Sequence, residues 1–399
     1  MIVPKLWIQN TTLYDPFLDQ SWDLSEEGIV LFKKLFTNDL RESVLDRREQ
    51  VFFDDLQREG LVLLSSKTAT WFLTLKCSLS CEHCYQRLSV KEQLLTERET
   101  NLILKKLIDW NVEHILFSGG DIFLNPYLFQ ILRKIGSKFS KINVSLLTNG
   151  FILSSNKKAQ QELKQFTDWK PFVQLSLYSN KPAIHDEITG IKGSFIKTVE
   201  SIKFLKQNKY SVLVNVVLMK KNFDTRYEIA DFLEKNLEIE RNNFNFDVLL
   251  FPRINQDNEQ ISKYSVSTKQ FGKLLREEDF AALTAKYLND LPYCTGARTK
   301  IAISPQGDIY PCNMVQERLG NVLEKSIEDI LNQSHKAKKF KNWERAQCKK
   351  CRTKYCKKCQ AFTKREKFDK IYCEFVKIAD REVRRRIIEA EKRGFVSLN

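Results

Sequence analysis

The chain has 399 residues, a hydrophobic content of 42% and a formal net charge of +15 at pH 7. This length predicts two or three domains with a sizeable core, and no apolar run approaches the about 18–20 residues that a membrane-spanning helix needs. The start of the chain lacks the basic and apolar regions of a signal peptide, so we expect a cytoplasmic protein without a membrane partner. The basic side chains are dispersed, with no stripe of interleaved aromatic residues, which argues against nucleic acid as a partner.

Residues 1–66 are predicted to form a small separate unit. Residues 1–10 and 61–65 are apolar enough for short strands, and Glu26–Phe36 and Glu49–Glu59 have the periodicity of helices. Strands that flank helices in this way predict a winged-helix-like module. The module resembles the leader-peptide recognition element of maturases of ribosomally made peptides, which adds a peptide as an extra strand. A structural cap and a DNA-binding winged helix are the alternatives.

From about residue 70, apolar strand-like runs alternate with helical stretches. The six strand-like runs are 71–76, 113–117, 143–148, 172–178, 212–219 and 245–251. Such alternation predicts parallel strands with helices outside them, and six units are fewer than the eight of a closed barrel. The sequence therefore predicts an α/β fold, an open partial (β/α)6 barrel, over residues 67–285.

Ten cysteines are many for a cytoplasmic protein, and all of them fall in two groups. In a reducing compartment such groups indicate metal binding or catalysis rather than disulfides. The first group, Cys77, Cys81 and Cys84, has the spacing C-x3-C-x2-C directly after the first strand of the alternating segment. Three thiolates in one loop can hold three irons of a [4Fe–4S] cluster and leave the fourth iron open. The alternatives are a three-cysteine zinc site with a distant fourth ligand and cysteines that only pack in the core.

The first cysteine group is similar to the signature of the radical S-adenosylmethionine superfamily, C-x3-C-x-aromatic-C, with His83 in the aromatic position. The resemblance implies a partial radical SAM barrel in which the open iron binds S-adenosylmethionine. One electron from the cluster then breaks a carbon–sulfur bond of this molecule and makes a radical. The residues that the resemblance places around S-adenosylmethionine are His83, Gly119, Gly120, Asp121, Asn149, Ser176 and Thr189.

Two of these residues depart from the family pattern. Asp121 stands where relatives usually have glutamate, so we expect its contact with the methionine amino group to be longer or water-mediated. Thr189 stands where relatives often have an arginine that pairs with the carboxylate, and threonine cannot supply that charge. Gly119 and Gly120 are expected to allow a close approach of the backbone to a ligand.

The second cysteine group lies in residues 286–380 and resembles the SPASM domain, an extension with two auxiliary [4Fe–4S] clusters. It contains a G-x4-C segment, residues 307–312, and a run with the pattern C-x2-C-x4-C-x2-C. The resemblance assigns one auxiliary cluster to Cys348, Cys351, Cys356 and Cys373, and the other to Cys294, Cys312 and Cys359. The three sets of three, four and three ligands use all ten cysteines and predict three [4Fe–4S] clusters. Structural zinc is the alternative, and residues 381–399 are predicted to be a charged helix and tail.

Together these resemblances imply an oxidoreductase that acts on a peptide. Such a maturase takes hydrogen from a ribosomally made precursor peptide and installs an intramolecular cross-link, either a thioether or a carbon–carbon or ether bond between side chains. Its expected partners are a precursor peptide with a leader sequence and an electron donor of the flavodoxin or ferredoxin type.

Two other functions are weighed against this one. The first is an anaerobic sulfatase-maturating enzyme, which makes formylglycine, but Asn313 replaces the aspartate that acts as the base in those relatives. An amide cannot accept that proton. The second is a non-enzymatic zinc protein that binds nucleic acid, and metal analysis separates it from an iron–sulfur enzyme.

Overall fold

The computed structural model describes residues 6–15, 20–37, 47–58, 66–84, 94–248, 263–277, 295–315, 317–341, 353 and 366–397. The chain divides into two compact units. The first unit comprises Met1–Ser65, Thr268–Cys294 and Glu344–Asn399, and the second comprises Ser66–Ser267 and Thr295–Trp343. Within the described ranges, no helix combines the length and the apolarity that crossing a membrane requires.

Thirteen strands are numbered in chain order. They are β1 (Trp7–Gln9), β2 (Thr12–Asp15), β3 (Gln20–Asp23), β4 (Thr68–Thr74), β5 (His114–Gly119), β6 (Asn143–Thr148), β7 (Phe172–Ser176), β8 (Val212–Val217), β9 (Phe244–Asp247), β10 (Lys300–Ile303), β11 (Asp308–Tyr310), β12 (Gly320–Asn321) and β13 (Val396–Ser397) within the described residues.

The helices are numbered in the same way. They are α1 (Glu26–Thr37), α2 (Arg47–Arg58), α3 (Glu97–Asp109), α4 (Leu128–Lys138), α5 (Phe151–Ser155), α6 (Lys157–Lys164), α7 (Pro182–Thr189), α8 (Ser194–Gln207), α9 (Arg226–Asp231), α10 (Thr268–Leu274), α11 (Ile327–Gln333), α12 (His335–Lys341) and α13 (Glu366–Lys392) within the same residues. Short 3-10 turns cover Ile122–Leu124, Phe223–Thr225 and Arg241–Asn243, and Phe232–Asn236 is a π-helical turn.

The second unit is built on one nine-stranded sheet, in the order β12-β11-β10-β4-β5-β6-β7-β8-β9. Strands β4 to β9 pair in parallel in chain order, and helices α3 to α9 fall between them. The predicted α/β fold with a parallel sheet is therefore confirmed. Side chains alternate along the strands: in β8, Val214 and Val216 are buried whereas Asn215 between them is partly exposed. Because the strands are parallel, their carboxyl ends meet at one edge, and that edge positions the site.

Three further strands extend this sheet beyond β4, and the sequence analysis did not predict them. Strand β10 pairs in parallel with β4, and β11 and β12 follow as antiparallel neighbours. Gly307 has a φ of +82° in the turn between β10 and β11, a conformation that glycine adopts without strain. These strands have four, three and two residues, which is too short for a clear alternation of apolar and polar residues.

The first unit contains a four-stranded antiparallel sheet, in the order β13-β1-β2-β3. One face of this sheet packs against α1 and α2 through a core that includes Leu13, Phe32 and Leu56. A second buried cluster contains Trp7, Tyr14, Ala390 and Phe395. Strand β13 near the end of the chain thus pairs with β1, and the end of α13 supplies part of the same core.

The first unit differs from the sequence prediction in two respects. Three strands precede α1, whereas the sequence analysis expected a strand, helices and a terminal strand in residues 1–66; residues 61–65 lie outside the described part of the chain. In addition, the helix predicted to begin near residue 380 begins at Glu366. The winged-helix assignment and the boundaries 1–66, 67–285, 286–380 and 381–399 stay predictions.

Candidate functional site

The first three cysteines follow β4 at the edge of the sheet where the parallel strands end. Residues 75–84, here called the cysteine loop, contain Cys77, Cys81 and Cys84, and all three side chains are partly exposed. In the described residues, no three His, Cys, Asp or Glu side chains are grouped closely enough to hold a single metal ion. A [4Fe–4S] cluster makes a different demand, because each thiolate binds its own iron.

Residues at the end of β5 hold one side of the cysteine loop. The N–H of Gly120 donates to the carbonyl oxygen of Thr74 at 2.7 Å, and the N–H of Asp121 donates to that of Lys76 at 2.8 Å. A Cβ atom at Gly120 would lie 1.9 Å from the Lys76 oxygen, and Gly119 has a φ of +130°. The two glycines therefore admit the backbone of the end of β4 and of the cysteine loop, and the predicted approach of a ligand to them stays a prediction.

The end of α7 holds the other side of the loop. The N–H of Ser80 donates to the carbonyl oxygen of Thr189, and that of Glu82 donates to Ile188, both at 3.0 Å. Gly190 follows with a φ of +72°, and a Cβ atom there would lie 2.3 Å from the Ser80 hydroxyl oxygen. The cysteine loop is thus fixed by backbone hydrogen bonds on two sides, which limits the positions that its thiols can take.

An ion-pair cluster adds a third attachment. The Nζ atom of Lys221, just after β8, lies 2.9 Å from Glu82 of the cysteine loop and 2.8 Å from Glu187 of α7. Partial burial would lower the pKa of Lys221, but its hydrogen bonds to Glu187 and Glu82 outweigh that effect and raise the pKa. Lys221 therefore stays charged and joins the cysteine loop to two other elements.

The Cys77 thiol is partly buried, which affects its protonation. Burial raises the pKa of its thiol to about 11, and an N–H from Leu79 at 3.4 Å opposes that rise. The Asn149 amide nitrogen lies 3.5 Å from the same sulfur. Metal binding requires a thiolate and releases the proton, and the two N–H donors favour the thiolate form.

Asp121 is completely buried at the carboxyl end of β5. Its Oδ1 atom accepts hydrogen bonds from the Phe123 N–H at 3.2 Å and from the Thr148 hydroxyl at 3.1 Å. Its Oδ2 atom has no hydrogen-bond partner in the described residues, and burial raises the pKa of the carboxyl to about 6. A buried carboxylate oxygen without a partner fits a ligand that brings a hydrogen-bond donor, such as the amino group of S-adenosylmethionine.

An aromatic row runs beside the cysteine loop. The His83 ring lies edge-on to Tyr178, with centroids 4.7 Å apart, and Tyr178 lies 5.5 Å from His185. Burial raises the pKa of Tyr178 well above its ordinary value, the nearby Cys81 adds to this effect, and a hydrogen bond from Ser176 opposes it. His83 and Ser176 are both predicted to lie around S-adenosylmethionine, and each of them contacts Tyr178.

Thr189 and Asn149 use their side chains inside the protein. The buried Thr189 hydroxyl donates to the His185 carbonyl at 3.0 Å and lies 2.6 Å from the Ser194 hydroxyl. The Asn149 side-chain oxygen Oδ1 accepts the N–H of Phe151 at 2.8 Å. Direct contacts of Thr189 and Asn149 with S-adenosylmethionine stay predictions, while the structure gives each residue a role in fixing the cysteine loop.

The second cysteine group is only partly described. Cys312 follows β11 in the second unit, and Cys373 lies on α13 in the first unit; both are partly exposed. The other five, which lie outside the described residues, are Cys294, Cys348, Cys351, Cys356 and Cys359. The predicted ligand sets of the auxiliary clusters therefore stay predictions.

Sequence reasoning missed three residues that shape the site. Lys221 and Tyr178 carry the contacts described above, and the buried Asn222 donates to the Tyr178 carbonyl at 2.7 Å and accepts the Met219 N–H at 2.7 Å. Their positions in the sequence could have indicated them, because all three lie within a few residues of the carboxyl end of a strand: Tyr178, Lys221 and Asn222.

Comparison with known families identifies two regions of the chain. Residues 71–233 match the radical SAM superfamily, and residues 294–360 match SPASM, an iron–sulfur cluster-binding domain. The first match begins within β4 and ends in the π-helical turn after α9.

Two curated relatives come from Bacillus subtilis (strain 168). The antilisterial bacteriocin subtilosin biosynthesis protein AlbA is 31% identical over 277 residues, which cover 66% of this chain and 59% of that protein. The sporulation killing factor maturation protein SkfB is 25% identical over 280 residues, which cover 66% of this chain and 64% of that protein. The chain thus spans less than two thirds of the length of either relative.

Two solved structures share the fold. The crystal structure of Streptococcus suis SuiB bound to precursor peptide SuiA has a TM-score of 0.55 and 16% identity, and covers 90% of this chain and 95% of that chain. Native anSMEcpe with bound AdoMet and Cp18Cys peptide has a TM-score of 0.60 and 20% identity, and covers 82% of this chain and 99% of that chain. The two family matches show that the chain belongs to the radical SAM superfamily and carries a SPASM domain, two regions that imply iron–sulfur clusters and AdoMet binding.

Proposed function

We propose that this protein is a radical S-adenosylmethionine peptide maturase with three [4Fe–4S] clusters, which installs an intramolecular cross-link in a ribosomally made precursor peptide. The observation that carries the proposal is the cysteine loop, which is fixed between the end of β5 and the end of α7. Cys77, Cys81 and Cys84 would each bind one iron of the first cluster. Cys77 directly follows Lys76, whose carbonyl oxygen accepts a hydrogen bond from the end of β5. Cys81 and Cys84 lie on either side of Glu82.

The polar groups beside the cysteine loop would bind S-adenosylmethionine. Asp121 would accept a hydrogen bond from the amino group through Oδ2, and Gly119 and Gly120 hold the adjoining backbone in place. His83 and Ser176 would line the opposite side, beside Tyr178. When bound, the cluster and S-adenosylmethionine supply a 5′-deoxyadenosyl radical, which takes a hydrogen atom from the peptide.

The relatives support a peptide as the substrate. AlbA and SkfB are named for bacteriocin biosynthesis and for maturation of a killing factor, and SuiB has been solved with a precursor peptide. Residues 1–66 would recognise the leader sequence, for which the antiparallel sheet of the first unit is suited because an extended peptide can pair with an exposed strand. The product would be a thioether, or a carbon–carbon or ether bond between side chains.

The second cysteine group would hold the two auxiliary clusters. Their ligands would be Cys348, Cys351, Cys356 and Cys373 for one cluster and Cys294, Cys312 and Cys359 for the other. An auxiliary cluster can take up the electron that the peptide radical loses when the cross-link forms. A flavodoxin or ferredoxin in the cytoplasm would supply the electron for the first cluster.

Metal analysis and S-adenosylmethionine cleavage test the proposal in order. Anaerobically reconstituted protein should contain about twelve irons per chain, from three four-iron clusters, and should form 5′-deoxyadenosine with dithionite. Cys77→Ala should abolish 5′-deoxyadenosine formation, whereas Ser78→Ala in the same loop should not. Zinc without iron, or unchanged cleavage by the Cys77→Ala protein, would refute the proposal.

Modification of the peptide is tested separately with a candidate precursor peptide, chosen from any short reading frames found beside the gene. A cross-link between side chains lowers the peptide mass by about two hydrogen atoms, since the two hydrogens at the joined positions are lost. Formylglycine also lowers the mass of a serine by two hydrogens, so fragmentation must show whether two residues are joined. Unjoined residues with an aldehyde would favour the formylglycine-forming reaction instead.

A further inference from the structure

A hydrogen bond connects the end of β6 to the first cysteine. The Asn149 Nδ2 atom lies 3.5 Å from the Cys77 sulfur, and the Leu79 N–H lies 3.4 Å from the same atom. Cys77 thus receives one donor from its own loop and one from a residue 72 positions away. We propose that Asn149 is a positioning residue for the first cluster, whose amide donates to the Cys77 thiolate and raises the reduction potential of that cluster.

The side-chain oxygen and the backbone of Asn149 are both held by hydrogen bonds. Its Oδ1 atom accepts the Phe151 N–H at 2.8 Å, and its backbone carbonyl accepts the Thr198 hydroxyl at 2.8 Å. These bonds fix the direction in which the amide nitrogen points. The donor therefore meets the sulfur without a change of rotamer, and little side-chain entropy remains to be lost when the contact forms.

Charge explains why this donor matters. Reduction adds one electron to a cluster whose sulfur ligands already carry negative charge, so N–H groups directed at those sulfurs stabilise the reduced form more than the oxidised form. The cluster on Cys77 is the one that must reach a very low potential to cleave S-adenosylmethionine. Asn149 would keep this potential within reach of the electron donor, and the inference therefore rests on the proposed function.

Asn125 provides a matched control within the same unit. Its Oδ1 atom accepts the Tyr127 N–H at 2.8 Å, just as Asn149 accepts the N–H two residues later, and its amide donates to the Leu73 carbonyl oxygen at 2.8 Å. Asn125 and Asn149 thus make the same turn and each reach across to β4 or the loop after it. They differ in the acceptor, which is a backbone oxygen for Asn125 and the cluster ligand for Asn149.

The test is a redox titration of full-length, reconstituted protein followed by electron paramagnetic resonance. The signal that changes when S-adenosylmethionine is added identifies the cluster on Cys77. In Asn149→Ala, we expect the ratio of reduced to oxidised cluster at a fixed potential to fall about threefold, a shift of about 30 mV for one electron. Asn125→Ala should leave the ratio as in the wild type.

Asn149→Asp is the second variant, because its carboxylate keeps the bond from Phe151 but cannot donate to sulfur. It should shift the potential at least as far as Asn149→Ala, and Asn125→Asp gives the effect of the added charge alone. An unchanged potential in either Asn149 variant, or an equal shift in the matching Asn125 variant, would overturn the inference. Absence of any signal that responds to S-adenosylmethionine in the wild type would instead refute the proposed function.

Discussion

The carbonyl oxygen of Lys76 occupies the place where a side chain at Gly120 would begin. The oxygen would lie 1.9 Å from a Cβ atom at Gly120, and the Lys76 carbonyl carbon would lie 2.5 Å from it. Both atoms belong to the backbone, so neither can move without moving the cysteine loop. The position of the Cys77 thiol therefore depends on the close packing of the end of β5 against the cysteine loop.

Gly120→Ala should consequently displace the cysteine loop. Overpacking of this kind costs about 1–3 kcal/mol, and we expect a loss of iron from the first cluster along with lower stability. Gly193→Ala is the control: Gly193 has a φ of +83° but nothing within 4 Å of its Cβ position, so it should cost only about 1 kcal/mol through strain. Iron content after reconstitution and urea unfolding measure both effects, and equal iron loss in the two variants would contradict this prediction.

Lys221→Met should loosen the cysteine loop without creating a steric clash. The variant leaves Glu82 and Glu187 without their shared cation, and we expect iron to pass to a chelator about tenfold faster than in the wild type. Lys181→Met removes another ion pair in the same unit, the exposed contact between Lys181 and Glu228 at 2.9 Å. Exposed pairs contribute little, so this control should release iron at the wild-type rate. Lys221→Arg should keep most of the effect of the native lysine, and a release rate like that of Lys221→Met would contradict the role of the charge.

Because Asp121 is buried, we expect the stability of the folded protein to depend on pH. This holds for the protein without bound cluster or S-adenosylmethionine. Burial raises the pKa of the Asp121 carboxyl from the ordinary 3.8 to about 6, so the folded state holds this proton more tightly than the unfolded state. The stabilising contribution is then complete below pH 4 and is lost as the pH rises through about 6. The free energy of unfolding of the wild type relative to Asp121→Asn should therefore fall by up to about 3 kcal/mol over this range. Urea unfolding at several pH values measures the difference, and a difference that is flat or that rises with pH would show that the carboxylate is not destabilised by burial.

Cys373→Ala separates the auxiliary clusters from the first cluster. Its assignment as a ligand predicts that iron content falls from about twelve to about eight per chain, while S-adenosylmethionine cleavage with dithionite continues. Peptide cross-linking should stop, because an electron acceptor for the peptide radical is lost. Cys77→Ala, by contrast, should stop both S-adenosylmethionine cleavage and cross-linking. Full iron content in Cys373→Ala would show that this cysteine is not a ligand.

Local patterns in the sequence predicted the cysteine loop and the strands of the parallel sheet. The spacing of Cys77, Cys81 and Cys84 and the strand before them lie within about fifteen residues, and the apolar runs marked all six strands from β4 to β9. Contacts between distant residues were not predictable in this way. Lys221 and Glu82 are 139 positions apart, and no periodicity relates a lysine after one strand to a glutamate after another.

The role of glycine in the site shows the same limit. Gly119 and Gly120 were expected to allow a close approach, and the backbone oxygens of Thr74 and Lys76 lie next to them, whereas the approach of a ligand stays a prediction. A glycine in the sequence indicates that some group approaches the backbone closely, but only the folded structure shows which group it is. Strands β10 to β12 escaped prediction for a related reason, since strands this short are defined by their neighbours in the sheet.

Pairing of β13 with β1 has a consequence for the order in which the protein is made. Trp7 pairs with Ser397, and the Gln9 side chain donates to the Arg393 carbonyl oxygen across 384 positions of the chain. One edge of β1 therefore stays unpaired until residues 396–397 have been made, and Trp7 and Tyr14 likewise lack Ala390 and Phe395 until then. Contacts over such long separations form slowly, and an unpaired strand edge invites wrong partners. During synthesis, the edge of β1 is therefore open to wrong pairing until β13 is made.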